Sequence, residues 1–116
     1  MPKTVVIADD HPSFRASARA ILEADGYEVV AEAESGESAI VAVCRHRPDV
    51  LLLDVQLPDM DGFAVCKSLN GDGPSVVLVS SRDAEDYGEL IAASGARGFI
   101  PKAELSGDAL SATLEG

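Results

Sequence analysis

The sequence predicts a doubly wound α/β fold, a parallel sheet with helices on both faces. Three observations predict it. Five short β-prone runs alternate with stretches of helical apolar spacing, the pattern of parallel strands joined by right-handed crossovers. Three of those runs are continuously apolar rather than alternating, as strands covered on both faces are. Finally, the chain has 116 residues, 47% of them hydrophobic. That is one domain's length, enough to remove roughly two-thirds of the unfolded surface from water without disulfide or metal staples, and too apolar for disorder.

The first run, Thr4 to Ala8 (TVVIA), is a central strand. Phe14, Ala18, Ile21 and Leu22 then recur at helical spacing until Asp25-Gly26 supplies a stop. The second run, Val29 to Ala33 (VVAEA), carries Glu32 and fits a sheet edge, where one face meets water. Ala39, Ile40, Val43 and Cys44 form a second helical stripe before Pro48. Val50 to Leu53 (VLLL) is the third strand and again central. Phe63, Cys66 and Leu69 make a shorter stripe that ends in the turn signal Asn70-Gly71-Asp72-Gly73-Pro74. Ser75 to Val79 (SVVLV) is the third central strand, followed by a weaker helix that carries Leu90 and Ile91 and is interrupted by Gly88. Gly98 to Ile100 is the fifth strand, and Leu105, Ala109, Leu110 and Leu114 mark a fifth helix.

With 20 acidic against 9 basic residues the net charge is −11. A chain so acidic repels a nucleic-acid backbone and an anionic membrane, so direct binding of either by this segment is not expected. Only 4% of the residues are aromatic and none is Trp, which removes base-stacking platforms as well. Cys44 and Cys66 lack metal-ligand spacing and fall in helical stretches, so both are expected as small buried thiols of a reducing compartment. The longest purely apolar runs are a few residues, with no signal peptide or spanning segment, and the expected location is the cytoplasm. No repeat or linker divides the chain, and residues 1–116 are read as a single domain.

A doubly wound sheet places its chemistry at the C-terminal ends of the strands. Those ends carry Asp9-Asp10, Asp54, Ser80-Ser81 and Lys102. If the first and third strands are neighbours, three carboxylates crowd together and oppose one another's ionisation unless a cation relieves them. An all-oxygen set of this kind suits Mg²⁺, which leaves room for a substrate phosphate. Lys102 then supplies a second positive group for the same phosphate, and Ser80 a hydrogen bond. Asp54 is the candidate nucleophile, an attacking carboxylate that becomes an acyl phosphate. Helix capping accounts for such residues singly, and Asp10 before Pro12-Ser13 fits a cap. Capping does not account for four complementary strand ends together, least of all for a lysine, which no helix N-terminus favours.

These residues resemble the receiver domains of two-component response regulators (CheY-like). The resemblance rests on VVIADDHPSFR, on VLLLDVQLPDMDGF with Pro58 and Gly62 at +4 and +8 from Asp54, on VVLVSS, and on ASGARGFIPK. It covers essentially the whole chain and implies five parallel strands in the flavodoxin-like order 2-1-3-4-5, flanked by five helices. It further implies that Asp54 is the phospho-acceptor for a sensor histidine kinase. Asp10 and, through water, Asp9 would hold Mg²⁺ together with Asp54 and the backbone carbonyl of Gln56. Ser80 would be the switch hydroxyl, Phe99 the switch aromatic and Lys102 the family's lysine. Gln56 and Arg82, two residues beyond Asp54 and Ser80, would tune dephosphorylation. The switching face would be the fourth helix, fifth strand and fifth helix, a packing-driven switch because Phe99 has no phenolic hydroxyl. The same face would serve a homodimer, with Arg82, Arg97, Asp83 and Asp86 available for cross-subunit ion pairs, each worth little.

GARGFIPKAEL most resembles the subgroup joined to a helix-turn-helix of NarL/FixJ type, so the chain is either a single-domain regulator or, the favoured expectation, the receiver of a transcription factor whose output domain lies beyond Gly116. Where many relatives carry Pro after the lysine, often following a cis peptide, this chain has Ala103, before which a cis bond would cost about 3–4 kcal/mol. The kinase's helix is expected near the first helix, at Phe14, Ala18, Arg15 and Arg19, unless Phe14 and Ala18 are core and the arginines a solvated face. Three other readings compete. A haloacid-dehalogenase-like phosphohydrolase needs alternate rather than adjacent acids after the first strand. A flavodoxin-like electron carrier needs a Ser/Thr-Gly-rich phosphate loop where DDHPS stands. A receiver that works by contact alone needs none of the four charged residues.

Overall fold

A computed structural model describes residues 2–69 and 73–115. The Asn70-Gly71-Asp72 part of the expected turn lies outside the described residues. Within the strands, successive side chains point to opposite faces, and each face has its own apolar set. Val5, Ile7, Val50, Leu52, Val77 and Val79 face one way, with Ala18, Leu22 and Leu110 from the helices above them. Val6, Ala8, Leu51, Leu53, Val76 and Leu78 face the other way, under Ala39, Val43, Val65 and Cys66. Covering both faces is what makes the central runs continuously apolar.

The order of elements is β1 (Thr4–Ala8), α1 (Pro12–Ala24), β2 (Glu28–Ala33), α2 (Gly36–His46), β3 (Val50–Asp54), α3 (Gly62–Leu69), β4 (Ser75–Ser80), α4 (Glu89–Ala93), β5 (Gly98–Pro101) and α5 (Gly107–Glu115). Short 3₁₀ turns cover Ala84–Asp86 and Lys102–Glu104. All strand pairs are parallel, in the order β2-β1-β3-β4-β5, as the resemblance implied. The strands run slightly past their apolar cores because a polar residue still pairs in the ladder: Asp54 aligns with Val79 and Ser80 with Pro101. β1 and β3 are neighbours, so the condition for crowding the acids is met.

Two local expectations are corrected. The residue at the head of α1 is His11, not Asp10, and no side chain caps the helix, whose first residue is Pro12. Proline lacks the amide that a cap would satisfy and is pre-set for the first helical turn. The second is Cys44, which is exposed, whereas Cys66 is buried and has its thiol pushed up to about 11 by burial. α2 stops before Pro48 as expected, at Arg47 in the left-handed region, φ 46°. Ala39 and Val43, four residues apart, take the core side of α2, and Cys44 lies about 100° round the helix from Val43.

α2 also has a cap that local sequence does not reveal. Ser35 and Ser38 bond reciprocally at its start. The Asp59 carboxylate, from the segment after β3, accepts the amides of Gly36 at 2.7 Å and Glu37 at 2.9 Å. Those two amides hold the Asp59 carboxyl below its usual range.

Candidate functional site

β1 ends by delivering Asp9 into the interior. Its amide continues the β1–β2 pairing by donating to Ala33 O at 2.9 Å, and its carbonyl accepts the Arg15 guanidinium at 2.6 Å. With the backbone held on both sides, the fully buried side chain has a fixed direction. Its Oδ1 accepts the His11 amide at 2.8 Å and lies 3.0 Å from His11 Nδ1. Its Oδ2 is 2.6 Å from the Lys102 ammonium, an ion-pair contact that falls outside hydrogen-bond geometry and leaves that buried oxygen without a hydrogen-bond partner. Asp10, next in the chain, is exposed and lies 3.1 Å from His11 Nδ1.

β3 delivers Asp54, which is 3% exposed. The Val55 amide bonds Val79 O just beyond it, so the sheet itself holds the aspartate. Its Oδ1 accepts the Gln56 amide at 3.1 Å, and its Oδ2 accepts Lys102 Nζ at 3.2 Å. The chain then turns sharply, with the Gly62 amide donating to Val55 O at 2.7 Å. A Cβ at Gly62 would sit 2.7 Å from Asp54 O and 3.1 Å from Val55 Cα, both backbone atoms, so only glycine fits.

Lys102 comes from the end of β5. It starts a 3₁₀ turn, but its ammonium turns away from that turn's amides toward Asp9 and Asp54, and stands 4.6 Å over the Phe14 ring centroid. No cis peptide occurs among the described residues, so the Lys102-Ala103 bond is trans.

Two buried carboxylates, Asp9 and Asp54, thus share one ammonium, with the Asp10 carboxylate close by. Burial is the largest influence on Asp54 and raises its carboxyl above the ordinary value; the Asp9 charge adds to the rise, while the Gln56 amide and Lys102 oppose it. For Lys102, burial alone would lower the ammonium, but the two aspartates together outweigh burial and raise it. Ligand atoms of Asp9, Asp10, His11 and Asp54 lie within 4.8 Å of one another. Surplus negative charge and hard oxygen donors together fit a divalent cation such as Mg²⁺.

Asp9, Asp10, Asp54 and Lys102 are therefore brought together as expected. Ser80 and Phe99 are placed differently. The buried Ser80 Oγ is 2.7 Å from the Tyr87 hydroxyl and accepts the Arg82 amide at 3.1 Å. Phe99 is half-buried and tilted against the Tyr87 ring at 5.8 Å, and Phe63 meets the other side of that ring edge-on at 5.7 Å. Tyr87 links the two expected switch residues, and sequence reading missed it. The one available signal was an aromatic residue in an aromatic-poor chain, beside the glycine that weakens the fourth helix. Gln56 adjoins the site through its amide, and Arg82 is exposed beyond Ser80. Beside Tyr87, a cavity of about 510 Å³ is lined by Val55, Leu57, Phe63 and Leu90 among others.

The expected kinase-docking set on α1 is engaged within the chain. Ala18 is core, and Phe14 packs against the core under Lys102. Arg15 and Arg19 both bind Glu32, at 3.0 and 2.8 Å, and hold its carboxyl below the usual range, Arg19 foremost. Among the described residues, no helix is long and apolar enough to cross a membrane.

Comparison with known proteins extends this geometry. The family model of the response regulator receiver domain matches residues 5–115. The chain is 37% identical over 109 residues to the transcriptional regulatory protein DegU of Brevibacillus brevis, covering 91% of this chain and 46% of that protein. It is 35% identical over 101 residues to the DNA-binding transcriptional activator EvgA of Escherichia coli K12, covering 85% and 50% respectively. The chain spans about half the length of these curated relatives. The solved signal receiver domain named for the response regulator NarL of Mycobacterium tuberculosis superimposes with a TM-score of 0.87 at 32% identity, over 99% of this chain and 98% of that one. A match that runs from β1 through α5, with relatives above one-third identical and a superimposable fold, covers every element that shapes the acidic pocket; the chain belongs to the response regulator receiver domains of two-component systems, similar to those of NarL and LuxR type.

Proposed function

We propose that the chain is a phosphorylation-controlled switch whose phospho-acceptor is Asp54. The observation that carries this reading is the buried Asp54 carboxylate facing the Lys102 ammonium in a pocket with two further acids. With the family established, the phosphohydrolase and flavin-carrier alternatives fall away.

In the reaction proposed, an Asp54 carboxylate oxygen attacks the phosphorus of a phosphohistidine on a sensor histidine kinase. The new O–P bond forms as the N–P bond breaks, and the imidazole leaves with the bonding pair. Asp9, Asp10 and Asp54 would hold Mg²⁺, with the backbone carbonyl of Gln56 completing the protein's share. The ion, when bound, neutralises charge on the phosphoryl oxygens. Lys102 needs little movement to pair with one of those oxygens. The sheet keeps Asp54 oriented, and its burial limits water. The chain is thus substrate and catalyst of its own modification, without a turnover substrate. Ser80 and Phe99 carry the change to α4, β5 and α5, and Gln56 and Arg82 tune the lifetime of the acyl phosphate.

The partners in this reading are the sensor kinase and, through the α4-β5-α5 face, a second copy of the chain. The regulator names of the relatives support transcriptional control as the output that this switch serves, and the resemblance of GARGFIPKAEL points to an output of the helix-turn-helix kind. Incubation with acetyl phosphate and Mg²⁺ tests the reading. A phosphate-retarding gel should show a shifted band for wild type, none for Asp54→Ala, and none with a chelator present. An unshifted wild type would leave the contact-only receiver as the better account.

A further inference from the structure

The Ser80 hydroxyl is committed in this structure. It has one proton and two lone pairs. Buried at 1% exposure, it is held by the Tyr87 hydroxyl at 2.7 Å and the Arg82 amide at 3.1 Å. Any movement of Ser80 Oγ toward a phosphoryl group on Asp54 has to leave the phenol behind.

Tyr87 is also where the α4 segment is fastened. α4 is five residues long and contains no buried residue, and its Leu90 is 55% exposed. Gly88, with φ 56°, separates Tyr87 from the helix. The Tyr87 ring, between Phe63 of α3 and Phe99 of β5, ties this lightly packed segment to the body. One residue thus touches the switch hydroxyl and the switch aromatic with its side chain, and its backbone carbonyl accepts the Leu90 amide of α4, the element expected to move.

We propose that Tyr87 is a positioning residue for the switch: its phenol holds Ser80 in the resting arrangement, and its ring passes the loss of that bond to α4. This rests on the reading of Asp54 as phospho-acceptor. A phosphoryl group and Tyr87 compete for one hydroxyl, so two arrangements exist, and whatever stabilises the resting one opposes activation. Removing only the phenolic oxygen should favour the activated state by the worth of one hydrogen bond, about 2- to 10-fold in affinity for a phosphoryl mimic.

The test measures binding of fluoroberyllate by the Mg²⁺-loaded chain, using calorimetry. Tyr87→Phe, which keeps the ring between its neighbours, should bind about 2- to 10-fold more tightly than wild type. In a Ser80→Ala background the same substitution should change nothing, a coupling that a merely structural tyrosine does not produce. Unchanged or weaker binding by Tyr87→Phe, or the same change in both backgrounds, overturns the proposal. A second measurement needs no variant of Tyr87. Its ring resonances, assigned by comparison with Tyr27→Phe, should shift when wild type is saturated with fluoroberyllate, and an unmoved ring overturns the proposal equally. A wild type that binds no fluoroberyllate is a separate result, which removes the phospho-acceptor reading itself and this proposal with it.

Discussion

At the scale of single residues, the site is a charge problem solved by backbone placement. Asp9, Asp54 and Lys102 are each set by the end of a strand, and their side chains meet because β1, β3, β4 and β5 lie in that order. Gly62 is the least forgiving of the supporting residues, since any side chain there meets the Asp54 and Val55 backbone. Gly62→Ala should cost about 1–3 kcal/mol in denaturant unfolding and slow labelling of Asp54 by acetyl phosphate, because relief of the clash moves the aspartate. A stability and a labelling rate equal to wild type would show that the close approach is not needed. The four charged residues were legible in the sequence because strand ends follow directly from strand limits. Tyr87 and Asp59 were not, because each acts across space on an element remote from its own neighbours in the chain.

At the scale of elements, the contrast is between the strands and α4. The central strands β1, β3 and β4 bury every apolar side chain, whereas α4 buries none and sits between Gly88 and Gly95. Local opening costs least where packing is thinnest. Amide hydrogen exchange should therefore show the amides of residues 84–93 exchanging first, while those of β1, β3 and β4 exchange only with global unfolding. Protection in α4 equal to that in the central strands would contradict this. The strands were legible because burial on both faces writes a continuous apolar run, and the weakness of the fourth helix was legible from Gly88. The heads and tails of α1 and α2 were less so: proline replaced a side-chain cap at one, and Arg47 took a left-handed conformation usually left to glycine at the other. The exposure of Cys44 shows the same limit, since a stripe of four apolar residues does not say which of them lies at its margin.

At the scale of the molecule, two kinds of carboxylate give opposite responses to acid. Glu32, Asp49 and Asp59 titrate below their ordinary values of 4.5, 3.8 and 3.8, owing chiefly to Arg19, to the Thr4 amide and to the Glu37 amide respectively. Their stabilisation is present above those ordinary values and is lost as pH falls through the lower folded ones. Asp54 is raised by burial, so its ionisation weakens the fold, and uptake of its proton relieves that penalty. Metal-free protein should therefore gain stability as pH falls from neutrality toward the Asp54 titration and lose it below about pH 4. Asp54→Asn should show only the loss, and a rise that survives in this variant would contradict the assignment. The net charge of −11 is in this light partly a local matter, a pocket short of positive charge within an acidic surface.

The central claim is that Asp54, and no other carboxylate of the cluster, carries the phosphoryl group. Borohydride reduces an acyl phosphate to the alcohol, so a phosphorylated aspartate is read as homoserine in peptide mass spectra. After treatment with acetyl phosphate and Mg²⁺, homoserine should appear at position 54 alone and should vanish when a chelator is added. Homoserine at position 9 or 10, or at none of the three, would contradict the account.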